Sequence, residues 1–118
     1  MTRHDESVAL RHMRDHALEA VVAARGRSRQ DLDGDRMFAL ALIKLVEIVG
    51  EAAGRVSLAT RSLQPHIPWN EIVAARNRLV HGYDQVDLDV LWRIVAVELP
   101  PLVQQIEAVL AGRSENAT

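Results

Sequence analysis

Apolar residues recur at helical spacing through most of the chain, and the polar or glycine breaks between them divide it into helices. Val8, Met13, Leu18, Val21 and Val22 form one stripe, which predicts a first helix from about Asp5 to Arg25 with Gly26 as its stop. Ser28-Arg29-Gln30-Asp31 has the form of a capping box and predicts a short helical turn before Gly34. A long second helix is expected to start near Asp35. Its apolar positions, Met37, Phe38, Leu40, Leu42, Ile43, Leu45, Val46, Ile48 and Val49, leave almost no polar face, so burial on more than one side is expected. In a bundle this small, part of that surface is expected to meet a second copy of the chain. Lys44, Glu47 and Glu51 supply its single polar line, and Gly50 and Gly54 either allow close helix approach or begin the fraying of its end.

Residues Ser57 to Ile67 read as a connector with a short helical piece, stiffened by Pro65 and Pro68. Pro68 suits a first-turn position, so a third helix is expected from Pro68 to about His81, ended by Gly82. Asp87 looks like the N-cap of a fourth helix, with Val86 and Leu91 placed as a hydrophobic staple. Pro100-Pro101 is expected to kink or interrupt that helix, with Leu102 to Leu110 forming a last one and the polar tail fraying from about Gly112. The pattern predicts a single all-α domain over residues 1–118, an up-and-down bundle of four to five helices.

Composition narrows the chemistry. The chain has 118 residues, 48% of them hydrophobic but only 3% aromatic, so its core must be aliphatic. With no cysteine, disulfides, thiolate metal sites and cysteine nucleophiles are excluded. No apolar run reaches the roughly 20 residues of a membrane span, and Met1 to Ser7 lacks a signal-peptide core, so a soluble cytoplasmic protein is expected. A formal net charge of -2 gives no general steering toward nucleic acid, and any polyanion must be engaged by a local site.

That local site is sought where the apolar pattern breaks. On a continuous third helix, Trp69, Ile72, Val73, Leu79 and Val80 share a stripe, and Arg76 falls inside it, about 40° from Ile72. A guanidinium there either takes a carboxylate partner, such as Glu47 or Glu51, or works in a sheltered site. Asn77 and His81, four residues apart, share a neighbouring face. His12 and His16 have a spacing that can bind metal, but no third ligand is apparent, and a solvated face accounts for them. His4 and His66 lie in polar or proline-rich surroundings. Neither a metal nor a cofactor is called for.

The segment Arg76-Asn77-Arg78-Leu79-Val80-His81-Gly82-Tyr83 resembles the signature of the HEPN superfamily, an arginine followed after four to six residues by a histidine, in the form used by HepT toxins. Leu45 to Ala53, Ile67-Pro68-Trp69, Val86-Asp87-Leu88 with Leu91-Trp92, and Leu99-Pro100 match the same pattern in the same order, so the resemblance covers roughly residues 35 to 102. It implies a HEPN-like helical homodimer whose two motif helices face each other across a composite cleft. The activity it implies is metal-independent endoribonuclease cleavage in a toxin–antitoxin pair, with Arg76 and His81 catalytic and Asn77 and Tyr83 supporting them on RNA. It also implies a partner, a small nucleotidyltransferase antitoxin called MNT, which transfers AMP to the motif tyrosine, here Tyr83. The alternative reading is a non-catalytic HEPN partner that regulates or scaffolds a nucleotidyltransferase.

Overall fold

In the computed structural model, which describes residues 2–81 and 85–116, Thr2 starts the first helix earlier than the apolar spacing predicts. Its hydroxyl accepts from the Asp5 N–H at 3.1 Å while the Asp5 carboxylate accepts from the Thr2 N–H at 3.2 Å, a reciprocal capping box. Helix α1 (Arg3–Ala24) ends at Arg25, and Gly26 follows with φ 72°, in the left-handed region that glycine adopts at least cost. The short α2 (Asp31–Gly34) forms as expected, the Asp31 carboxylate accepting from the Ser28 N–H at 2.6 Å. Asp35 then caps α3 (Arg36–Gly54) by accepting from the Phe38 N–H at 3.0 Å. The remaining elements are α4 (Leu58–Leu63), α5 (Trp69–Val73), α6 (Ala75–Leu79), the two-residue strands β1 (Val80–His81) and β2 (Gln85–Val86), α7 (Leu88–Arg93), a π-helical turn (Ile94–Glu98) and α8 (Leu99–Asn116).

The fold is all-α. Its described residues extend 49 × 30 × 21 Å, and the thinnest dimension is two helix diameters, so the bundle has two layers. Helix α1 packs against α3 and α8, and the core runs between them through Leu10, Met13, Leu42, Val46, Val49, Leu91, Val95 and Ile106. The inner face of α1 is not the stripe read from its large residues: Leu18 and Val22 are exposed, and Ala9, Leu10, Met13, Ala17 and Ala20 are buried. Alanines at this seam let the neighbouring backbones approach, and a stripe drawn through large residues overlooks them. On α3, Gly50 serves the same end. A Cβ at that position would sit 2.9 Å from the Ile72 carbonyl oxygen of α5, whereas at Gly54 it would meet nothing within 4 Å. Burial on α3 is one-sided in the single chain, since Leu42, Val46 and Val49 are buried while Met37 and Leu40 are exposed.

Of the kink or interruption expected at Pro100-Pro101, the interruption is absent. The helix is continuous from Leu88 to Arg113, and the prolines are preceded by the π-turn, in which the Leu99 N–H reaches back to the Ile94 carbonyl. The wider turn relieves the carbonyl crowding that a proline ring imposes one turn back. By length and composition this helix could cross a membrane, but Leu91, Ile94, Val95, Leu99, Leu102, Val103, Ile106 and Val109 lie in the shared core. The expected fraying from Gly112 is also absent up to Asn116. Arg113 donates to the Ser7 hydroxyl at 3.0 Å and to the Arg3 carbonyl at 2.8 Å, clamping the end of α8 to the start of α1.

A buried carboxylate joins α1 to α4. Glu6 accepts from the Ser57 N–H at 2.7 Å and from the Thr60 hydroxyl at 2.9 Å. Burial pushes its carboxyl up, but the bonds from Ser57 and Thr60, helped by the Arg113 charge, together hold it below the ordinary glutamate value. Such a depressed group stabilises the fold fully above its unfolded pKa of about 4.3, and that contribution is lost as pH falls through the folded value. Glu6→Ala is therefore expected to cost about 1–3 kcal/mol in urea unfolding at pH 7, by leaving the buried Thr60 hydroxyl and the half-buried Ser57 N–H without their acceptor. The gap between variant and wild type should narrow at pH 3; a constant gap would contradict the linkage.

Candidate functional site

The segment that carries Arg76 to His81 is shaped by two breaks. Pro68 caps α5, with the Ile72 N–H donating to its carbonyl at 3.0 Å, and the Trp69 indole N–H donates to the Gln64 carbonyl at 3.0 Å. At Ala74 the helical path is interrupted, and α6 continues for only five residues. After Leu79 the backbone becomes extended: Val80 pairs with Val86 and His81 with Gln85, antiparallel, and the Asp87 N–H donates to the Leu79 carbonyl at 2.7 Å. Asp87 then caps α7 as the sequence suggests, its carboxylate accepting from the Asp89 and Val90 N–H groups.

The third helix therefore stops at Leu79 and does not reach His81, which lies on β1 and shares no helical face with Asn77. The competing hydrogen bonds of the small ladder and of the Asp87 N–H draw the chain out of the helix. Only the backbone of His81 is described, and Tyr83 lies outside the described residues.

The break at Ala74 also corrects the placement of Arg76. A stripe set at Ile72 and extended at 100° per residue assumes one uninterrupted helix. In the structure Ala75 and Leu79 point inward, one turn apart, and Arg76 and Asn77 are exposed on the other side of α6. Val73, assigned to the same stripe, is 40% exposed. Arg76 makes no hydrogen bond or ion pair with the described residues, so neither Glu47, which is half-buried, nor Glu51, which is exposed, acts as its partner. The site thus presents a cation and an amide side by side, just before the paired backbone of the histidine.

The arginine that does pair is the next but one. Arg78 donates both terminal nitrogens to Glu98, at 2.8 and 2.8 Å, across the gap between α6 and the π-turn. Hydrogen bonding to Arg78 holds the Glu98 carboxyl below its ordinary value against the opposing effect of burial, and Glu98 in turn raises the Arg78 guanidinium. Beneath this pair lies a cavity of about 280 Å³ lined by Val46, Val49, Ile72, Ala75 and Leu102, with Arg78 and Glu98 in its wall. Nothing in the sequence singled out Glu98. Its signal is a charged residue one heptad after the buried Leu91, where a regular helix would turn it to the core.

Elsewhere, Arg29 bridges Asp33 and Asp89, tying α2 to the start of α7. His12 and His16 stack edge-on at 5.9 Å, and a His16 ring nitrogen lies 2.8 Å from the His12 carbonyl oxygen. Among the described residues no three His, Asp or Glu side chains gather as a metal site.

Residues 9–109 match the family model described as "Ribonuclease HepT-like". Among similar proteins, "Probable ribonuclease HepT" of Thermococcus cleftensis is 36% identical over 78 residues, 66% of this chain and 71% of its own. "Putative RNase MJ1380" of Methanocaldococcus jannaschii is 28% identical over 109 residues, 92% of this chain and all of its own. No solved structure matches the chain.

Because Arg76 is exposed and unpaired among the described residues, Arg76→Ala is expected to shift unfolding free energy by less than about 0.5 kcal/mol, with helicity by circular dichroism unchanged. A loss well beyond that would assign the side chain a structural role.

Proposed function

The chain belongs to the HepT-like family, and from that premise we propose that it is a metal-independent endoribonuclease, the toxin of a toxin–antitoxin pair, acting as a homodimer. The observation that carries this reading is the state of Arg76: a guanidinium on the motif segment, exposed beside Asn77 and spent on no ion pair among the described residues. A planar fork of this kind suits the two non-bridging oxygens of a phosphodiester better than a lysine would. With a net charge of -2, the protein relies on such local contacts to hold RNA.

In the proposed reaction the ribose 2′-hydroxyl attacks the adjacent phosphorus. Its proton passes to a His81 imidazole as the new P–O2′ bond forms. The P–O5′ bond breaks, and the leaving oxygen takes a proton from a protonated imidazole. Each chain has one histidine in the motif, so two copies across a two-fold cleft would supply the base and the acid together. Arg76 carries the charge that builds on the phosphorane, and Asn77 orients His81 or a phosphate oxygen. The exposed Met37 and Leu40 on α3 support a second copy as the natural cover for that face.

The test is cleavage of RNA in the presence of a chelator. Arg76→Ala and His81→Ala are each expected to lose at least about a hundredfold in rate. Arg76→Lys should be nearly as damaging, since it keeps the charge and loses the fork. Light scattering on the same samples should give twice the chain mass. Wild type leaving RNA intact, and behaving like His81→Ala, would overturn the enzyme reading in favour of a regulatory partner of a nucleotidyltransferase.

The proposed control point is Tyr83, as acceptor of AMP from a nucleotidyltransferase antitoxin. An anionic adduct two residues from His81 would compete with RNA phosphate for Arg76. Tyr83→Phe is expected to keep much of the cleavage while escaping inhibition by the nucleotidyltransferase with ATP. Intact-mass analysis after co-expression checks it, and AMP adducts found equally on wild type and Tyr83→Phe would place the acceptor elsewhere.

A further inference from the structure

Helix α6 is too short to hold itself in place. At five residues it is less than half the length at which an isolated helix becomes even marginal in water, and it is cut off from α5 at Ala74. Its inward residues are Ala75 and Leu79, and the side nearest the π-turn overlies the 280 Å³ cavity where tight packing would otherwise fix it. Arg78 and Glu98, joined by their two-pronged bond, both line that cavity. Two parallel bonds fix orientation as well as distance, which a single contact does not.

Glu98 reaches that position because of the π-turn. Seven residues after Leu91, a regular α-helix would return Glu98 to the same inward face as Leu91, which is fully buried. The wider turn from Ile94 to Glu98 changes the register, so that Leu99 takes the core position and Glu98 lies half-buried at the edge, facing α6. The half-buried carboxylate takes both of its short bonds from Arg78, with the exposed Arg93 further off at 3.8 Å.

We propose that Glu98 is a positioning residue for the active segment: gripping Arg78 from the π-turn, it sets the rotation of α6 and so the direction in which Arg76, Asn77 and the following strand β1 with His81 are presented. The catalytic half of this proposal rests on the ribonuclease reading. Its structural half does not, since the orientation of α6 can be read without any substrate.

Glu98→Gln and the reversed pair Arg78→Glu/Glu98→Arg test both halves in the full-length protein. In Glu98→Gln, amide hydrogen exchange over residues 75–81 is expected to quicken by about tenfold or more while α1 and α3 keep their protection. The kcat for RNA should fall by about 10- to 100-fold with KM within about threefold, because a misaimed segment loses alignment in the transition state more than it loses ground-state binding. The reversed pair should recover much of both signals. Unchanged exchange over 75–81 in Glu98→Gln overturns the proposal whether or not the protein cleaves RNA. Quickened exchange with unaltered kcat in a wild type that does cleave overturns the catalytic half. A wild type that never cleaves RNA, with exchange quickened as expected, overturns the ribonuclease reading and leaves the positioning of α6 established.

Discussion

Pro100 and Pro101 bring no amide protons to the C-terminal helix, and their rings crowd the carbonyls one turn back. The chain meets that constraint with a π-turn from Ile94 to Glu98 rather than a break, which keeps Leu88 to Arg113 as one rod. The rod can therefore carry core residues from Leu91 to Val109 against α1 and be clamped at its far end by Arg113. The same turn shifts the register by which Glu98 faces α6. A constraint on backbone hydrogen bonding in one helix is thus transmitted to the orientation of a five-residue helix elsewhere in the bundle. The energetic logic is local: a partly buried carboxylate needs a partner, and the nearest cation sits on the segment that carries the candidate chemistry.

The arginines divide by task. Arg27 lies over the Phe38 ring at 3.9 Å and pairs with Asp35; Arg61 donates to the carbonyls of Ala53 and Val56; Arg113 and Arg78 join distant elements. These guanidiniums are consumed by the fold. Arg76, like Arg11, Arg25, Arg36 and Arg55, has its hydrogen-bonding capacity unspent among the described residues, but it alone of these lies on the motif segment, two positions from one that is fully engaged. On a chain with net negative charge, an unpaired fork beside an amide on the motif segment is how a phosphate could be held without a basic surface.

Much of this was legible in the sequence where a single residue carries a local rule. Asp35 and Asp87 announce helix starts because a short acidic side chain satisfies amide protons that the first turn cannot. The motif segment was legible because its residue types and spacing survive any error in helix boundaries. The failures have other causes, several of them in contacts distant in sequence. The break at Ala74 has no glycine or proline to mark it, and it turned Arg76 from the apolar face to the exposed one. Leu18 and Val22 drew the α1 stripe away from Ala17 and Ala20, because hydrophobic size was read where closeness of approach decides. Pro100-Pro101 suggested a kink or an interruption, since the pattern alone does not tell either from a π-turn. Glu6 carries no signal of its own in the sequence, and only the approach of Ser57 and Thr60 makes it a buried joint.

The proposed chemistry and the unpaired surface of α3 point the same way for independent reasons. Breaking a phosphodiester by internal attack needs a proton taken and a proton given, and one imidazole per motif supplies one of these at a time. Met37 and Leu40 are exposed on a helix whose opposite side is core, an arrangement that leaves apolar area in water unless another molecule covers it. A two-fold arrangement answers both demands with one interface, because symmetry gives each copy the other's residues at matched positions. It also explains how a short, cavity-backed helix could serve as a reactive element. In a dimer, α6 would be held on its inner side by Ala75, Leu79 and the Arg78–Glu98 pair, while its outer side, with Arg76 and Asn77, would face the substrate and the partner's matching segment.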